Sequence, residues 1–389
     1  MVTFSVIQPL RNGPFLKTRA MKNLPYARIS IVWLVILMVV AGCQGRPAHD
    51  NGPENTIAVK DMLGRKIQVP GEIESVVGIG PGALRLLVYM QVSERVAGVE
   101  EIEKRTGRPY IFAHPGLKER PGIGPAFTGD PELITARDPD VIFKTYTTRG
   151  EADELQKKTG IPVVALRYIN PTSDWQVLDS ALSLMGRVLD KSDRARELIQ
   201  YHHALRDTLE KKTSGIPEQQ KPDVYLGGLS HRGTHGINST SPYYESFAFV
   251  HAKNLAGPLR NKYANNEGVM LDIEQLMVWN PQVIFIDLAG KALVEEDFRQ
   301  YGEYFRKMEA FRESKIYGVH PYNWYSTNYA TVLANAWYIG SVLYPGRFAG
   351  VDPAEKADDI YRQFLGKGVY GELKSEFGGY APLSFQINQ

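Results

Sequence analysis

Cysteine is almost absent from this 389-residue chain, which contains only Cys43. A single cysteine excludes an intramolecular disulfide, a zinc site built on several cysteines and a dithiol redox pair. The uncharged apolar run over residues 29–42 is shorter than the ~20 residues that a membrane-spanning helix needs. The composition, 43% hydrophobic and 23% charged, is that of a globular protein, and the length favours two domains.

Acidic residues are absent from residues 1–42, which carry five basic residues. Without this segment the chain has 40 basic and 43 acidic residues, a net charge of −3 rather than the +2 of the full sequence. A chain with that balance has no overall electrostatic attraction for polyanions. We therefore expect no nucleic-acid partner.

The N-terminal segment has the layout of a secretory signal peptide. Lys22 and Arg28 precede the apolar run, and two small residues end it. The pattern predicts a signal peptide over residues 1–42. Met21 would begin a more typical signal than Met1 does, so we expect Met21 to be the true start.

Cys43 directly follows the predicted signal peptide. Residues 40–43 read VAGC, which resembles a bacterial lipobox, whose cysteine is acylated with diacylglycerol and becomes the mature N-terminus. We expect lipidation at Cys43, a flexible tether over residues 43–55, and an extracytoplasmic protein held at the membrane by its lipid. An ordinary signal peptide followed by an incidental cysteine is the alternative.

Beyond the tether, short β-rich runs alternate with amphipathic helical patterns. Continuous apolar strands separated by helices are typical of parallel sheets that are covered on both faces. The sequence therefore predicts an α/β protein. The predicted strands are residues 75–79, 141–144, 162–166, 223–227, 283–287 and 316–319.

Residues 132–143 and 274–285 repeat one pattern, in which a Glu is followed seven positions later by a Pro and then by an apolar strand. The repeat predicts two related lobes, although two helix-to-strand units of one α/β protein could also resemble each other by chance. Apolar residues at spacings of three and four predict a helix over residues 174–190, which we take as the inter-lobe helix. It separates an N-terminal lobe, residues 56–173, from a C-terminal lobe, residues 191–389.

The chain at this point resembles the substrate-binding proteins of ABC importers for ferric siderophores, haem and cobalamin. The resemblance is carried by residues 59–70, by residues 76–87, by the two repeated units and by residues 334–345, in that order and behind the lipobox. It implies two Rossmann-like lobes with parallel sheets, joined by a single rigid helix, with the ligand cleft between them. It also implies a dimeric ABC permease with its ATPase as partners.

The first residues of the two repeated units, Glu132 and Glu274, match a family position that docks onto the permease. In the family, one surface carboxylate on each lobe contacts arginines of the permease, so the resemblance implies permease docking for both residues. Taken alone, an acidic residue in the first turn of a helix could simply complement the helix dipole.

Ligands of open α/β sheets bind beyond the carboxyl ends of the strands, so the loops that follow the strands are the candidate cleft. Residues 80–82 precede a helix whose free N–H groups could hold an anionic oxygen, or they form a plain tight turn. Arg149 and Arg232 are expected anion partners or, alternatively, solvated surface residues. The candidate ligand-binding residues are Gly82, Phe127, Tyr146, Arg149, Tyr168, His231, Arg232, His235, Trp324 and Tyr325.

His231 and His235 stand four positions apart, the spacing of two zinc ligands on one helix face. The sequence between them, Arg-Gly-Thr, is poor helix and lacks the Glu of a zinc hydrolase, so no direct metal site is predicted. Either histidine could touch a bound metal complex or make local hydrogen bonds. Trp324 and Tyr325 could equally be ordinary loop packing.

The expected function is capture of a metal complex outside the cell membrane and its delivery to an ABC importer, with no intrinsic cofactor. A ferric siderophore is the first expectation, because the resemblance implies it most often and the loops are rich in Arg and Tyr. Cobalamin, haem and molybdate or tungstate are the alternatives. The rival class is an exported chelatase-like enzyme, but the sequence has no nucleophile elbow, Walker loop or carboxylate–His cluster at usable spacing.

Overall fold

The computed structural model describes residues 55–105, 107–167, 175–231, 233–262 and 268–385. The predicted signal peptide, Cys43, all but the last residue of the tether, Tyr168 and Arg232 lie outside the described residues. Among the described helices, none has both the length and the apolar character needed to span a bilayer.

The first lobe is built on a four-stranded parallel sheet. An antiparallel hairpin of β1 (Thr56–Lys60) and β2 (Lys66–Pro70) precedes it. The strand order in the sheet is β4-β3-β5-β6, formed by β3 (Val76–Ile79), β4 (Val96–Gly98), β5 (Val141–Lys144) and β6 (Val163–Ala165). Every residue of β3, β5 and β6 is buried, as a sheet covered on both faces requires. Its helices are α1 (Ala83–Tyr89), α2 (Pro109–Ala113), α3 (Pro131–Thr135) and α4 (Arg149–Thr159).

Two helices, α5 (Trp175–Val188) and α6 (Ser192–Thr213), follow the first sheet. The second lobe again has a parallel sheet, in the order β12-β11-β7-β9, while β8 and β10 form a short antiparallel pair. The strands are β7 (Asp223–Gly227), β8 (Ser239–Thr240), β9 (Lys253–Asn254), β10 (Val269–Met270), β11 (Val283–Asp287) and β12 (Ile316–Val319). The helices are α7 (Glu245–Ala248), α8 (Ile273–Trp279), α9 (Lys291–Phe305), α10 (Glu309–Arg312), α11 (Tyr329–Leu343), α12 (Pro353–Leu365) and α13 (Tyr370–Phe377).

The repeat seen in the sequence is also a repeat of local structure, since α3 leads into β5 as α8 leads into β11. Ile134 and Leu276 occupy the same position of the repeat, and both are fully buried. Asp138 and Asn280 each take left-handed backbone, with φ of 48° and 44°, directly before the proline. Asp and Asn tolerate this conformation better than other non-glycine residues do. The two units therefore share one turn as well as one pattern.

The long helix α6 contacts the first lobe near its beginning and the second lobe near its end. Near its beginning, Nε of Arg194 donates a hydrogen bond to the carbonyl oxygen of Tyr89, in α1, at 3.0 Å. Near its end, Glu210 pairs with His251, just before β9, at 2.7 Å. With 22 residues, α6 is about 33 Å long, enough to run from one lobe to the other.

The predicted inter-lobe helix, residues 174–190, corresponds to α5. The carbonyl oxygen of Leu189, directly after α5, accepts a hydrogen bond from Arg95 of the first lobe at 3.2 Å. At the other end of α5, the ring of Trp175 packs edge to face against Phe249 of the second lobe, with centroids 5.5 Å apart. Both helices therefore contact the two lobes, and α5 as the single connector and the residue limits of the lobes stay predictions.

Candidate functional site

Tyr325, in the loop after β12, reaches across to the first lobe. Its hydroxyl donates to Oε2 of Glu100 at 3.0 Å and accepts from the backbone N–H of Phe127 at 2.9 Å. The rings of Phe127 and Tyr325 also meet edge to face, with centroids 5.4 Å apart. Both residues have positive φ, 72° and 44°, an uncommon backbone conformation that tertiary contacts must hold. The structure thus brings two of the predicted site residues into direct contact.

Tyr146 and Gly82 lie in the same region of the first lobe. The ring of Tyr146 packs against Phe127, with centroids 5.6 Å apart, and more than half of its surface is exposed. Gly82 precedes α1 with φ of 83°, and a Cβ atom there would collide with Nη2 of Arg85. Gly82 therefore leaves room for a guanidinium group at the start of α1.

Arg85 is a buried cation at this junction that the sequence analysis did not select. The residue is 2% exposed, its Nη1 donates to the carbonyl oxygen of Ser326 at 3.1 Å, and its Nε has no hydrogen-bond partner. The available signal was an arginine inside an otherwise apolar helical segment, ALRLLVY. Such an arginine has to be satisfied by tertiary contacts or by a ligand.

The space beside Arg85 is small. It admits the centre of about one water molecule, roughly 10 Å³. Both lobes contribute to its lining, which consists of Pro81, Gly82, Arg85, Leu86, Thr145, Ser326 and Tyr329.

Further charged residues lie buried behind Tyr325. Glu103 pairs with Arg108 and accepts a hydrogen bond from the Tyr110 hydroxyl at 2.6 Å, and all three residues are almost inaccessible. The Arg108 guanidinium carbon lies 5.9 Å from the centre of the Tyr325 ring.

Glu100 is the remaining acid of this cluster. Burial raises the pKa of Glu100 to about 7, so its carboxyl group is only partly ionised at neutral pH. Burial also raises the pKa of Glu103, although Arg108 opposes this shift. Two buried arginines, Arg85 and Arg108, therefore lie near two acids whose ionised forms burial disfavours, and this arrangement suits an anionic ligand.

The remaining predicted ligand residues make other contacts. Nη2 of Arg149 donates to the carbonyl oxygen of Leu63, in the turn between β1 and β2, at 2.8 Å. Nε2 of His235 lies 2.8 Å from the carbonyl oxygen of His231, a local hydrogen bond within the loop. Trp324 is half-buried, and its Nε1 has no hydrogen-bond partner. Tyr168 and Arg232 cannot be placed, because they lie outside the described residues.

Glu132 and Glu274 occupy equivalent exposed positions in the first turns of α3 and α8. An exposed apolar residue lies close to each along the chain: Leu133, 41% exposed, and Val278, 78% exposed. A carboxylate beside exposed apolar surface suits a protein partner, and its place in the first turn also suits the helix dipole.

Residues 80–322 match a protein family described as periplasmic binding proteins. The chain is 24% identical over 327 residues to the molybdate-binding protein MolA of Haemophilus influenzae, a match that covers 79% of this chain and 90% of MolA.

Solved structures share the fold. A periplasmic solute binding protein from Veillonella parvula gives a TM-score of 0.66 at 18% identity, covering 83% of this chain and 97% of that protein. MolA bound to molybdate gives 0.63 at 20% identity, covering 80% and 98%. The petrobactin-binding protein YclQ of Bacillus subtilis gives 0.51 at 17% identity, covering 76% and 99%.

Proposed function

Because this chain belongs to the periplasmic binding protein family, we propose that it is a lipid-anchored receptor that captures a small oxyanion of the molybdate type for an ABC importer. The broader assignment follows from the family. The protein is an extracytoplasmic binding protein rather than an enzyme, its ligand is a small molecule, and its partners are a permease and an ATPase. The enzyme alternative is thereby excluded, and the predicted family resemblance is confirmed.

The observation that carries the oxyanion proposal is the buried guanidinium of Arg85. An arginine buried with a free N–H pays a desolvation cost that a bound anion offsets through charge-assisted hydrogen bonds. The space beside Arg85 holds about one water as the lobes stand, so a tetrahedral oxyanion requires a small movement of its lining. An organic ligand, which occupies a pocket of roughly 300–1,000 Å³, requires a far larger rearrangement, so the small space favours an oxyanion over a bulky metal chelate.

Two residues with hydroxyl groups, Thr145 and Ser326, line this space from opposite lobes, so an anion held there would touch both lobes. The Thr145 hydroxyl donates its hydrogen to the carbonyl oxygen of Pro81 at 3.0 Å, which leaves the Ser326 hydroxyl as the donor to an anion. A ligand that contacts both lobes binds the closed arrangement better than an open one, and so stabilises closure. The similarity to MolA, whose structure contains molybdate, supports this choice.

A ferric siderophore, the first expectation from the sequence, becomes the second candidate, and the aromatic surface at the junction favours it. Phe127, Tyr146 and Tyr325 lie with neighbouring ring centroids 5.4 and 5.6 Å apart, and two of the three are substantially exposed. Such rings suit a flat or bulky chelate. This ligand, like haem or cobalamin, requires the lobes to separate and the Tyr325–Glu100 hydrogen bond to break.

The anchor and the permease contact complete the proposal. Lipidated Cys43 would hold the receptor at the membrane, and residues 43–55 would give it reach. Glu132 and Glu274 would each meet an arginine of the permease. Their equivalent places in a repeated unit suit a partner built from two similar halves.

The test is isothermal titration calorimetry of the purified protein against molybdate, tungstate, sulfate, a ferric catecholate siderophore, haem and cobalamin. We expect saturable binding of molybdate and tungstate, with recovery of the anion unchanged after denaturation. Binding of the siderophore alone would replace the oxyanion with the second candidate. Absence of binding heat with every ligand would contradict both the oxyanion proposal and the second candidate.

A further inference from the structure

We propose that Asp179, His202 and His203 form a binding site for a divalent transition-metal ion, of the zinc or nickel class, on the helix pair α5 and α6. Asp179 lies on α5, and the two histidines lie on α6. One potential ligand atom from each residue falls within 4.8 Å of the others. No motif along the chain predicts this cluster, because 23 positions separate Asp179 from His202.

The carboxylate of Asp179 holds both imidazoles in place. Its Oδ1 lies 2.8 Å from Nε2 of His202, and its Oδ2 lies 2.8 Å from Nε2 of His203. Atoms of these two kinds are ordinary metal ligands, since neutral imidazole nitrogen and carboxylate oxygen bind Zn²⁺ at about 2.0–2.2 Å. An ion bound to both Nε2 atoms would take the place of the hydrogens that these atoms donate to Asp179, and each neutral ring would then carry its hydrogen on Nδ1.

The cluster is buried on the side of His202 and open to solvent on the side of His203. His202 is fully buried, and the ring of Trp175 packs against it, with centroids 5.2 Å apart. His203 is half exposed and, with Asp179, lines a surface pocket of about 490 Å³. Three protein ligands with an open side leave coordination positions for water, as in metal sites that are not fully enclosed by protein.

The charges around this pocket attract a cation on balance. Asp207 and Glu210 are exposed acids on α6 that line the pocket beside Asp179. Arg206 is the opposing charge, and its guanidinium group lies over the rings of Trp175 and Phe249, 5.2 and 5.4 Å from their centres. Glu210 is also paired with His251 at 2.7 Å, so Asp179 and Asp207 are the two carboxylates that outweigh this one arginine.

Two imidazoles and one carboxylate indicate which ions suit the site. Imidazole favours zinc, copper, nickel and iron, whereas magnesium and calcium prefer sites made of oxygen atoms alone. A bound ion would link α5 to α6, two helices that each contact both lobes. It would therefore raise the thermal stability of the protein without occupying the cleft.

The test is a titration of the full purified chain with Zn²⁺ by calorimetry, and with Co²⁺ by visible absorption, which reports imidazole coordination. The site variants are His203→Gln, whose side chain is half exposed, and Asp179→Asn. The matched control is His235→Gln, which removes a histidine of the other histidine pair in this chain. Thermal midpoints without metal show whether each variant is folded.

We expect one Zn²⁺ per chain for the wild type and for His235→Gln, with a higher thermal midpoint when the ion is present. Each site variant should lose about tenfold or more in Zn²⁺ affinity. It should also lose the Co²⁺ absorption and the metal-dependent rise in midpoint. Absence of saturable Zn²⁺ binding by the wild type overturns the proposal, as does loss of binding in His235→Gln with retention in His203→Gln.

Discussion

The hydroxyl of Tyr325 donates to Oε2 of Glu100 at 3.0 Å, a hydrogen bond between residues 225 positions apart that joins the two lobes. The same oxygen accepts the backbone N–H of Gly80, also at 3.0 Å, in the turn that precedes α1. One buried carboxylate therefore holds both the second-lobe loop and the turn that positions Arg85. Closure of the lobes and the placement of the buried guanidinium are coupled through Glu100.

Arg85 should dominate the affinity for an anionic ligand. Replacing it by Gln removes a charge-assisted contact, and we expect a loss of about 1.5–3 kcal/mol, roughly ten- to a hundredfold in the dissociation constant for molybdate. Calorimetry measures the change, with thermal midpoints to confirm folding. The matched control is Arg149→Gln, because Arg149 is bonded to the carbonyl oxygen of Leu63. A larger loss with Arg149→Gln than with Arg85→Gln would assign the anion to the other arginine.

Removal of the Tyr325 hydroxyl should weaken the closed arrangement. Tyr325→Phe keeps the ring against Phe127 but removes the hydroxyl that bonds to Glu100 and to the Phe127 N–H. We expect a cost of about 0.5–1.5 kcal/mol, seen as a several-fold weaker affinity and a larger radius of gyration without ligand by small-angle X-ray scattering. Tyr304→Phe, at an exposed tyrosine of α9, is the control. Identical scattering and affinity in both variants would show that the hydrogen bond does not hold the lobes together.

The stability of the protein should depend on pH through Glu100. Burial raises the pKa of Glu100 to about 7 from a usual value near 4.5, so the folded protein binds this proton more tightly than the unfolded chain does. The resulting stabilisation is present below about pH 4.5 and is lost as the pH rises through about 7.

The variant Glu100→Gln isolates this effect, since Gln still offers an oxygen to Tyr325 but does not titrate. Between pH 5 and pH 7.5, the free energy of unfolding in urea should fall more for the wild type than for Glu100→Gln. Glu119→Gln, at an exposed position, should follow the wild type. Equal pH dependence in the wild type and Glu100→Gln would mean that Glu100 does not titrate in this range.

Glu132 and Glu274 should act on transport and not on ligand binding. The double variant Glu132→Ala and Glu274→Ala removes two exposed carboxylates that make the proposed contacts to permease arginines. We expect ligand affinity within about twofold of the wild type, since exposed substitutions of this kind change little. Uptake by cells that depend on this receptor should be lost. Exposed Glu119→Ala serves as the transport control, and weakened ligand binding in the double variant would place these residues at the cleft.

Local pattern predicted most of the fold. Four of the six predicted strands, among them β5 and β11, have the observed limits, because buried parallel strands are continuous apolar runs. The short strands β4 and β9 carry no such run. The sequence predicts α5 as the inter-lobe helix because α5 is the more apolar of the two helices, whereas α6, which also contacts both lobes, is exposed along one face and has the pattern of a surface helix.

The candidate site was only partly predictable. The rule that ligands bind beyond the carboxyl ends of strands located Gly82, Phe127, Tyr146 and Tyr325, which the structure brings together. The sequence analysis did not select Arg85, Glu100 or Arg108. A buried charge is stabilised by contacts with residues far away in the chain, and a local pattern does not show such contacts. The Asp179–His202–His203 cluster was not predicted for the same reason, since its side chains come from two helices that only tertiary packing brings together.

The most direct test of the account is a crystal structure of the protein grown with tungstate, whose anomalous scattering locates the metal independently of any assumption. We expect one strong anomalous peak between the lobes, beside Gly82 and Ser326. The oxygen atoms around the tungsten should lie within hydrogen-bonding distance of the Arg85 guanidinium. A peak at Arg149 or at the His231–His235 loop would contradict it. A cleft without tungstate in these crystals, together with a crystal structure that holds a ferric siderophore in the cleft, would also contradict it.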